Sequence, residues 1–254
     1  MGMQDKVYIA GISCTKLGKR LDASVKQMVR EAVDAALADA GASVGDVDAA
    51  WFSNTRQPML EGQNTVRGQI ALRPLGFESV PVVNIENACA SGSSALIQAM
   101  AHLRAGMADI ALVVGAEKMV FPDRPEAMAA AFEGGTDIHD MEATKAFVRS
   151  LGGDADDESA GKRSIFMDLY AAQARAHMDR FGTTQEDFAA IAAKTRTHAQ
   201  HNPLAQYREP MSIEEVMADK PIAFPFTRSM CAPLSDGAAA AVVCNAAGLA
   251  RLAE

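Results

Sequence analysis

The sequence predicts a layered α/β fold interrupted by a mostly helical insertion. Over the first 118 residues, short β-branched runs alternate with amphipathic or alanine-rich stretches, as in layered α/β domains. The pattern then changes for about one hundred residues, before a buried-strand pattern returns at residues 238–244. We therefore expect a core domain formed by residues 1–118 and 219–254, with residues 119–218 inserted into it.

The first predicted elements are a strand and a helix. Residues 7–12, VYIAGI, predict a strand. A helix is expected to follow, with Asp22 or Ser24 as its N-cap, and to end near Ala40 because Gly41 can adopt the left-handed conformation that stops a helix. Its buried face is expected to carry a stripe of period 3.6, namely Val25, Met28, Val29, Ala32, Val33 and Ala36.

The alternation of strands and helices continues up to residue 115, and together with the strand at residues 238–244 it gives a βαβαβαββ order. The expected elements are, in chain order, a strand at Ala49–Ser53, a helix near residues 63–72, a strand at Val82–Ile85, a helix at Ser91–Arg104 and a strand at residues 109–114. The helix at Ser91–Arg104 would place Leu96, Ala99, Met100 and Leu103 on one side.

The insertion begins with a stretch of irregular composition. Residues 121–160 contain prolines, glycine pairs and the acidic run 154–158, which indicate an excursion over the surface such as a lid, a binding segment or an interface. Two helices are expected next, at residues 167–181 and 184–201, the second with a capping box of Thr184 and Asp187. The strand at 238–244 then closes the core, and we expect its neighbouring strands to belong to a second half of the fold.

Composition and charge exclude several function classes. A net charge of −8 makes nucleic acid an unsuitable partner. The N-terminus has no basic region followed by an apolar run, and no stretch approaches the ~20 apolar residues that span a bilayer. We therefore expect a cytoplasmic protein without a membrane segment. Its four cysteines show no CxxC spacing and no histidine at metal-ligand spacing, so we expect neither a disulfide framework nor a metal site.

Cys89 has the surroundings of a nucleophile. The segment PVVNIENACASGSSALIQAM places it in a turn between a buried strand and a helix, where unpaired backbone N–H groups and the helix dipole stabilise a thiolate. The same N–H groups can stabilise an oxyanion, and the small neighbouring side chains leave room for a substrate. The alternative is a small buried hydrophobic residue at a tight turn, and the residues alone leave both open.

Four segments resemble the thiolase superfamily in the right order along nearly the whole chain. The segment around Cys89, NACASGSSAL, resembles the nucleophile motif of that family. The others are VYIAGISCTKLGK near the start, GAEKM at residues 115–119 and CAPLSDGAAAAVV at residues 231–243. Together the four segments most resemble the sterol-carrier-protein type of thiolase, and they correspond to the N-terminal half of such an enzyme.

The resemblance implies an acyltransferase that acts on coenzyme A thioesters in lipid metabolism, for example in β-oxidation. Cys89 would attack a 3-oxoacyl-CoA, release acetyl-CoA or its equivalent and pass the acyl group to a second coenzyme A, or join two acyl groups in the reverse direction. Coenzyme A would be a substrate, with no permanently bound cofactor. Besides Cys89, the expected coenzyme A contacts are Ser91, Gly92, Ala232 and Ser235.

The family's catalytic histidine and second cysteine lie in the half of a thiolase that this sequence does not match. The five histidines, His102, His139, His177, His198 and His201, are not expected to replace the first, nor Cys231 or Cys244 the second. We therefore expect a homo-oligomer, or a hetero-oligomer with a completing or accessory subunit. The alternative is a non-catalytic thiolase-like subunit or scaffold that binds acyl-CoA or a partner protein.

The remaining charged residues are candidates for structural or binding roles. Asp236, in the SDG segment, is expected to fix a turn through backbone hydrogen bonds. Glu117 is either a carboxylate held by backbone N–H groups or a direct participant in the reaction. Four cations of the insertion either meet coenzyme A phosphates or lie on a solvated face, and these are Lys162, Arg163, Lys194 and Arg196.

Overall fold

A computed structural model describes residues 6–153 and 164–253 of the chain. The chain divides into two compact units, Met1–Phe121 with Ser235–Glu254, and Pro122–Leu234. The acidic run 154–158, Lys162 and Arg163 lie outside the described residues. Below, these are called the first unit and the second unit.

The described residues contain seven strands and ten α-helices. The strands are β1 (Tyr8–Cys14), β2 (Ala49–Ser53), β3 (Val82–Ile85), β4 (Ile110–Glu117), β5 (Pro221–Ala223), β6 (Phe226–Thr227) and β7 (Gly237–Cys244). The helices are α1 (Val25–Ala40), α2 (Gln57–Glu61), α3 (Arg67–Leu72), α4 (Ser91–Arg104), α5 (Pro125–Glu133), α6 (Met141–Ser150), α7 (Ile165–Phe181), α8 (Gln185–Ala199), α9 (Ile213–Ala218) and α10 (Ala246–Leu252).

The first unit is built on a five-stranded sheet with the order β1-β7-β4-β2-β3. Strands β2, β3 and β4 are parallel, whereas β7 is antiparallel to both β4 and β1. The expectation that the neighbours of β7 belong to a second half is therefore wrong. Its apolar run, GAAAAVVC, suits a central strand covered on both faces, and β1 and β4 of the same chain supply the hydrogen bonds on its two sides.

Helix α1 packs on one face of this sheet as the sequence predicts. Ser24 is its N-cap in a reciprocal capping box with Gln27, and Gly41 ends it with a φ of 64°. The predicted apolar stripe is buried against the sheet, together with Phe52 and Leu112. The helix predicted near residues 63–72 is the shorter α3, which begins only at Arg67. The short helix α2 before it was not predicted, and it ends at Gly62 with a φ of 74°.

Helix α4 has the predicted limits. Of the residues predicted to share one side, Ala99 and Leu103 are buried, and with Ala95 they pack with Trp51 in the cluster on this side of the sheet. The other two, Leu96 and Met100, are only half-buried. Small alanine side chains allow the helix to approach the sheet closely, so the side with the smaller residues is the one that faces it.

The second unit is mostly helical, as expected. The stretch that reads as an irregular excursion contains α5 and α6, and the capping box of Thr184 and Asp187 begins α8 as predicted. Two small apolar clusters lie in this unit, one around Val148 and Ala172 and the other around Ala189 and Val216. None of the helices in residues 6–153 and 164–253 is both long enough and apolar enough to cross a membrane.

Candidate active site

The ends of three parallel strands define one edge of the first unit's sheet. Because β2, β3 and β4 are parallel, their carboxyl ends at Ser53, Ile85 and Glu117 lie at the same edge. The register pairs Glu117 with Gly237, so β7 begins at this edge too. Ligand sites of open α/β sheets form beyond such strand ends, and the segment after β3 carries Cys89.

Cys89 lies in a single 3₁₀ turn, Ala88–Ala90, which leads directly into α4. Its side chain is exposed, as are residues 86–90 around it. Cys89 is thus not a core residue of this unit. Its role as the nucleophile stays a prediction. Ala88, immediately before it, has a φ of 46° in the left-handed region, which costs a non-glycine residue roughly 1–2 kcal/mol. Such conformations persist where the surroundings impose them.

Polar contacts on both sides of Ala88 hold it in this conformation. Its N–H donates to Glu86 Oε1 at 2.7 Å, and its carbonyl oxygen accepts from Ser91 Oγ at 2.8 Å and from Thr55 Oγ1 at 3.1 Å. Ser91 Oγ in turn accepts the Asn87 N–H at 2.8 Å and lies 3.2 Å from Thr55 Oγ1. The buried Ser91 hydroxyl thus organises the turn. Its contact with coenzyme A stays a prediction.

The segment after β2 connects this turn to Glu117. The Glu117 carboxylate accepts the Thr55 N–H at 3.0 Å, the Arg56 N–H at 2.9 Å and the Asn54 side-chain amide at 2.8 Å. The Arg67 guanidinium donates to both oxygens of Asn54 at 2.9 Å. Of the two roles considered for Glu117, the structure therefore supports a carboxylate held by backbone N–H groups.

Burial sets the charge state of Glu117. Desolvation raises the pKa of its carboxyl above the ordinary value of 4.5, while the N–H groups of Arg56 and Thr55 and the charges of Arg56 and Arg67 oppose that rise. Its partners nevertheless all donate hydrogen bonds, so the side chain serves as an acceptor at the centre of this loop.

Gly92 leaves the side of the turn beside Cys89 open. It is exposed on the first turn of α4, and a Cβ atom added there would meet only Ser53 Oγ, at 4.0 Å. The space permits close approach of a ligand to the start of the helix. Its coenzyme A contact stays a prediction.

The SDG segment is fixed by Asp236, as predicted. The carboxylate is fully buried and accepts the Met119 and Val120 N–H groups at 2.7 and 2.9 Å and the Arg20 N–H at 2.9 Å. Lys118 Nζ lies 3.7 Å away and is itself buried. Asp236 therefore acts as a structural anchor at the end of β4. Ser235 precedes it and is half-buried.

Ala232 lies in the second unit, in the lining of a cleft of about 580 Å³. Arg196, Tyr207 and Arg228 line the same cleft. The Arg196 guanidinium lies 4.4 Å from the centre of the Tyr207 ring, whereas Arg228 pairs with Asp219 at 2.8 Å. The predicted cofactor contacts therefore divide between the units, with Ala232 in one and Ser91, Gly92 and Ser235 in the other.

The three remaining cysteines are less exposed than Cys89. Burial raises the pKa of the Cys14, Cys231 and Cys244 thiols. The side chain of Cys244 is fully buried at the end of β7. Of the residues described, no three His, Cys, Asp or Glu side chains are grouped so that they could hold a metal ion.

Cys89 Sγ has no hydrogen-bond partner within residues 6–153 and 164–253. His102 lies in the last turn of α4 against the Trp51 ring, with the ring centres 5.1 Å apart. His177 contacts Thr183 Oγ1 at 3.0 Å in the second unit. The described contacts therefore pair Cys89 with no base.

The profile of the thiolase N-terminal domain matches residues 7–247. This chain belongs to that family. It is 33% identical over 241 residues to an acetyl-CoA acetyltransferase of Methanothermobacter thermautotrophicus, covering 94% of this chain and 57% of the relative. It is 32% identical to the benzoylsuccinyl-CoA thiolase subunit BbsB of Thauera aromatica, covering 96% of this chain and 57% of that one, and 29% identical to chicken (Gallus gallus) sterol carrier protein 2, covering 96% and 42%.

This thiolase-family chain thus spans about half the length of the curated relatives it matches. Among solved structures it resembles the Ltp2-ChsH2(DUF35) aldolase, with a TM-score of 0.70 and 25% identity, covering 98% of this chain and 58% of that one. The predicted family and the thiolase-like α/β fold are confirmed.

The sequence reasoning missed the residues that support the Cys89 turn. Thr55 and Asn54 follow β2 directly, and Glu86 follows β3. A usable signal was present, since polar residues just after parallel strands meet at one edge of a sheet. The contact of Thr55 with Ala88 could be learned only from the coordinates, because it joins residues 33 positions apart, whereas Glu86 lies two residues from Ala88.

Proposed function

We propose that this chain is the nucleophile-bearing half of a thiolase-type acyltransferase. Cys89 attacks the keto carbonyl of a 3-oxoacyl-CoA, the bond between C2 and C3 breaks, and acetyl-CoA or its equivalent leaves after C2 takes a proton. The acyl group stays on Sγ as a thioester until the thiol of a second coenzyme A removes it. Cysteine suits both steps because a thiolate is a strong nucleophile and a good leaving group.

The observation that carries this proposal is the setting of Cys89. It is the exposed cysteine of the chain, at the start of a 14-residue helix, on a turn that holds the preceding residue in a left-handed conformation. The helix N-terminus favours the thiolate and can stabilise an oxyanion. The family's relatives include an acetyl-CoA acetyltransferase and a thiolase subunit, which fits this chemistry.

Taken by itself, the cleft of the second unit is a candidate site for a nucleotide. It offers the Arg196 guanidinium and the Tyr207 ring, which suit phosphate groups and an adenine base respectively. Ala232 lies in its lining and adds no bulk. In the first unit, Ser91, Gly92 and Ser235 are separately proposed as coenzyme A contacts.

The test is acylation of Cys89. The protein, together with any polypeptide that co-purifies with it, is incubated with a 3-oxoacyl-CoA, quenched with acid, digested and analysed by mass spectrometry. The peptide that contains Cys89 is expected to gain the acyl mass, and Cys89→Ser is expected to abolish that gain. Cys14→Ser is the matched control and retains it. An acyl group found only on Cys231 or Cys244 contradicts the assignment.

One observation favours a second candidate, a thiolase-like scaffold without turnover. Among the described residues, no base contacts Cys89 Sγ. Such a scaffold would bind acyl-CoA or a partner and leave Cys89 unmodified. The two differ in a single measurement, since the scaffold is expected to bind acyl-CoA in equilibrium dialysis while its Cys89 peptide keeps its original mass.

We also propose that the chain acts within an assembly, either a homo-oligomer or a complex with a completing subunit. In the first unit, Ile9 and Ile12 on the edge strand β1 are more than 60% exposed, as are Ile97 on α4 and Met107. Exposed apolar side chains beside an open strand edge favour association. Light scattering coupled to size exclusion is expected to give a mass of at least two chains. A monomer that converts 3-oxoacyl-CoA unaided contradicts this proposal.

A further inference from the structure

The Cys89 turn is held by a relay of contacts that begins at a residue distant in sequence. Glu117, at the end of β4, binds the N–H groups of Thr55 and Arg56, and Thr55 Oγ1 lies 3.1 Å from the carbonyl oxygen of Ala88. Ala88 directly precedes Cys89 and carries the unfavourable φ of 46°. Thr55 therefore contacts the residue next to the nucleophile, and Glu117 contacts Thr55.

We propose that Thr55 and Glu117 are positioning residues for Cys89, with the Glu117 carboxylate fixing the segment Asn54–Arg56 so that the Thr55 hydroxyl holds the strained Ala88 carbonyl. The inference builds on the role proposed above for Cys89. It adds two residues that the sequence motif around Cys89 does not contain.

The position of the Ala88 carbonyl matters because of its neighbours along the chain. The peptide group that contains it also contains the N–H of Cys89, so a rotation at Ala88 turns both that N–H and the direction of Cα–Cβ at Cys89. The orientation of the thiol relative to the first turn of α4 would then change, and with it the rate at which the thiol reacts. Ser91 Oγ also binds this carbonyl, so removing Thr55 should loosen the turn without unfolding it.

The Glu117 carboxylate is suited to fixing this segment because it accepts two backbone N–H groups through different oxygens. Oε1 takes the Arg56 N–H and the Asn54 amide, and Oε2 takes the Thr55 N–H. A glutamine retains one acceptor oxygen. If that oxygen keeps the two contacts of Oε1, the glutamine NH₂ faces the Thr55 N–H and that contact is lost.

The experiment measures the rate of alkylation of Cys89 by iodoacetamide, peptide by peptide, in the protein purified with any polypeptide that accompanies it. Cys14 in the same molecule is the internal reference, since general loosening of the fold would raise its rate. The variants are Thr55→Val, Thr55→Ser and Glu117→Gln, with Glu78→Gln as a control at an exposed carboxylate of the same unit.

Thr55→Val is expected to lower the Cys89 rate roughly three- to tenfold, the range that one lost hydrogen bond supports, with the Cys14 rate unchanged. Thr55→Ser is expected to restore it to within about twofold of the wild type, because the hydroxyl is what matters. Glu117→Gln should lower the rate roughly threefold and Glu78→Gln should leave it unchanged.

Equal Cys89 rates in the wild type and Thr55→Val would overturn the inference, as would a failure of Thr55→Ser to recover the rate. If Glu117→Gln proves too unstable to study, the threonine pair decides alone. A wild-type Cys89 that reacts no faster than Cys14 argues against the proposed function, but the ratio of rates among the variants still tests the positioning role.

Discussion

The carboxylates of Glu117, which ends β4, and Asp236, which precedes β7, both accept backbone N–H groups, but they hold different segments of the chain. Asp236 and Glu117 lie at one edge of the sheet, since Glu117 is paired with Gly237, the residue after Asp236. Asp236 is fully buried and has a lysine beside it, whereas Glu117 is half-buried and its contacts lead towards Cys89.

The comparison shows how one edge can hold both a rigid anchor and a candidate site. Asp236 immediately precedes β7 and accepts the N–H groups of Met119 and Val120, which follow β4, so its carboxylate ties together two segments separated by more than one hundred residues. At Glu117, the carboxylate ties the end of β4 to the segment that touches the Cys89 turn. We expect substitutions at Asp236 to act mainly on stability, and substitutions at Glu117 to act on both stability and the reactivity of Cys89.

The largest effect is expected for Asp236→Asn. The substitution leaves the buried Lys118 ammonium without an opposing charge and weakens three backbone contacts. Removing one partner of a buried ion pair costs about 3–5 kcal/mol, and we expect the free energy of unfolding to fall by about 3 kcal/mol or more.

Urea denaturation followed by circular dichroism measures this change. Glu78→Gln serves as the control, because Glu78 and Arg73 form an exposed pair that contributes at most about 0.5 kcal/mol. If Asp236→Asn were as mild as the control, Asp236 would not be the anchor that its contacts indicate.

Glu117→Gln is expected to have a smaller effect that depends on pH. Its partners are neutral N–H groups, so at neutral pH the loss is about 1 kcal/mol. Because burial raises the folded pKa of Glu117 above 4.5, the native state binds its proton more strongly than the unfolded state. The resulting stabilisation is fully present below pH 4.5 and is lost as the pH rises through the folded pKa.

The measurement is the difference in free energy of unfolding between the wild type and Glu117→Gln, from about pH 4 to about pH 8. The difference should shift against the wild type as the pH rises. A difference that stays constant, or that shifts in favour of the wild type, would show that the carboxylate is not desolvated as its burial implies.

Much of this architecture could be predicted from the sequence. The strands Ala49–Ser53 and Val82–Ile85 and the helix Ser91–Arg104 have the predicted limits, because β-branched runs and turn residues bound them clearly. The partners of β7 could not be predicted, since strand order depends on contacts between distant segments. The left-handed Ala88 also escaped prediction, because nothing in an alanine indicates a positive φ.

The site was only partly predictable for the same reason. The motif around Cys89 is local, so its turn and helix could be located from the residues alone. Its support comes from Thr55 and Glu117, which are brought to it by β2 and β4. The buried face of α4 was predicted only in part, at Ala99 and Leu103, because apolar side chains surround much of this helix. The burial of Ala95 rather than Leu96 depends on how closely the helix approaches the sheet.

The smallest expected effect on stability concerns Gly92, where effects on stability and on acylation of Cys89 can be separated. Alanine replaces a residue that is unfavourable in helices, and its methyl group would meet only Ser53 Oγ at 4.0 Å, an ordinary contact distance. At the exposed first turn of α4, Gly92→Ala is therefore expected to raise the free energy of unfolding by up to about 0.5–1 kcal/mol.

Gly92→Val adds a branched side chain beside Cys89, and should lower acylation of Cys89 with little change in stability. Denaturant unfolding and the Cys89 peptide mass measure the two quantities on the same samples. Full acylation of Gly92→Val would mean that the substrate does not pass this side of the turn, and the coenzyme A contact predicted for Gly92 would then be wrong.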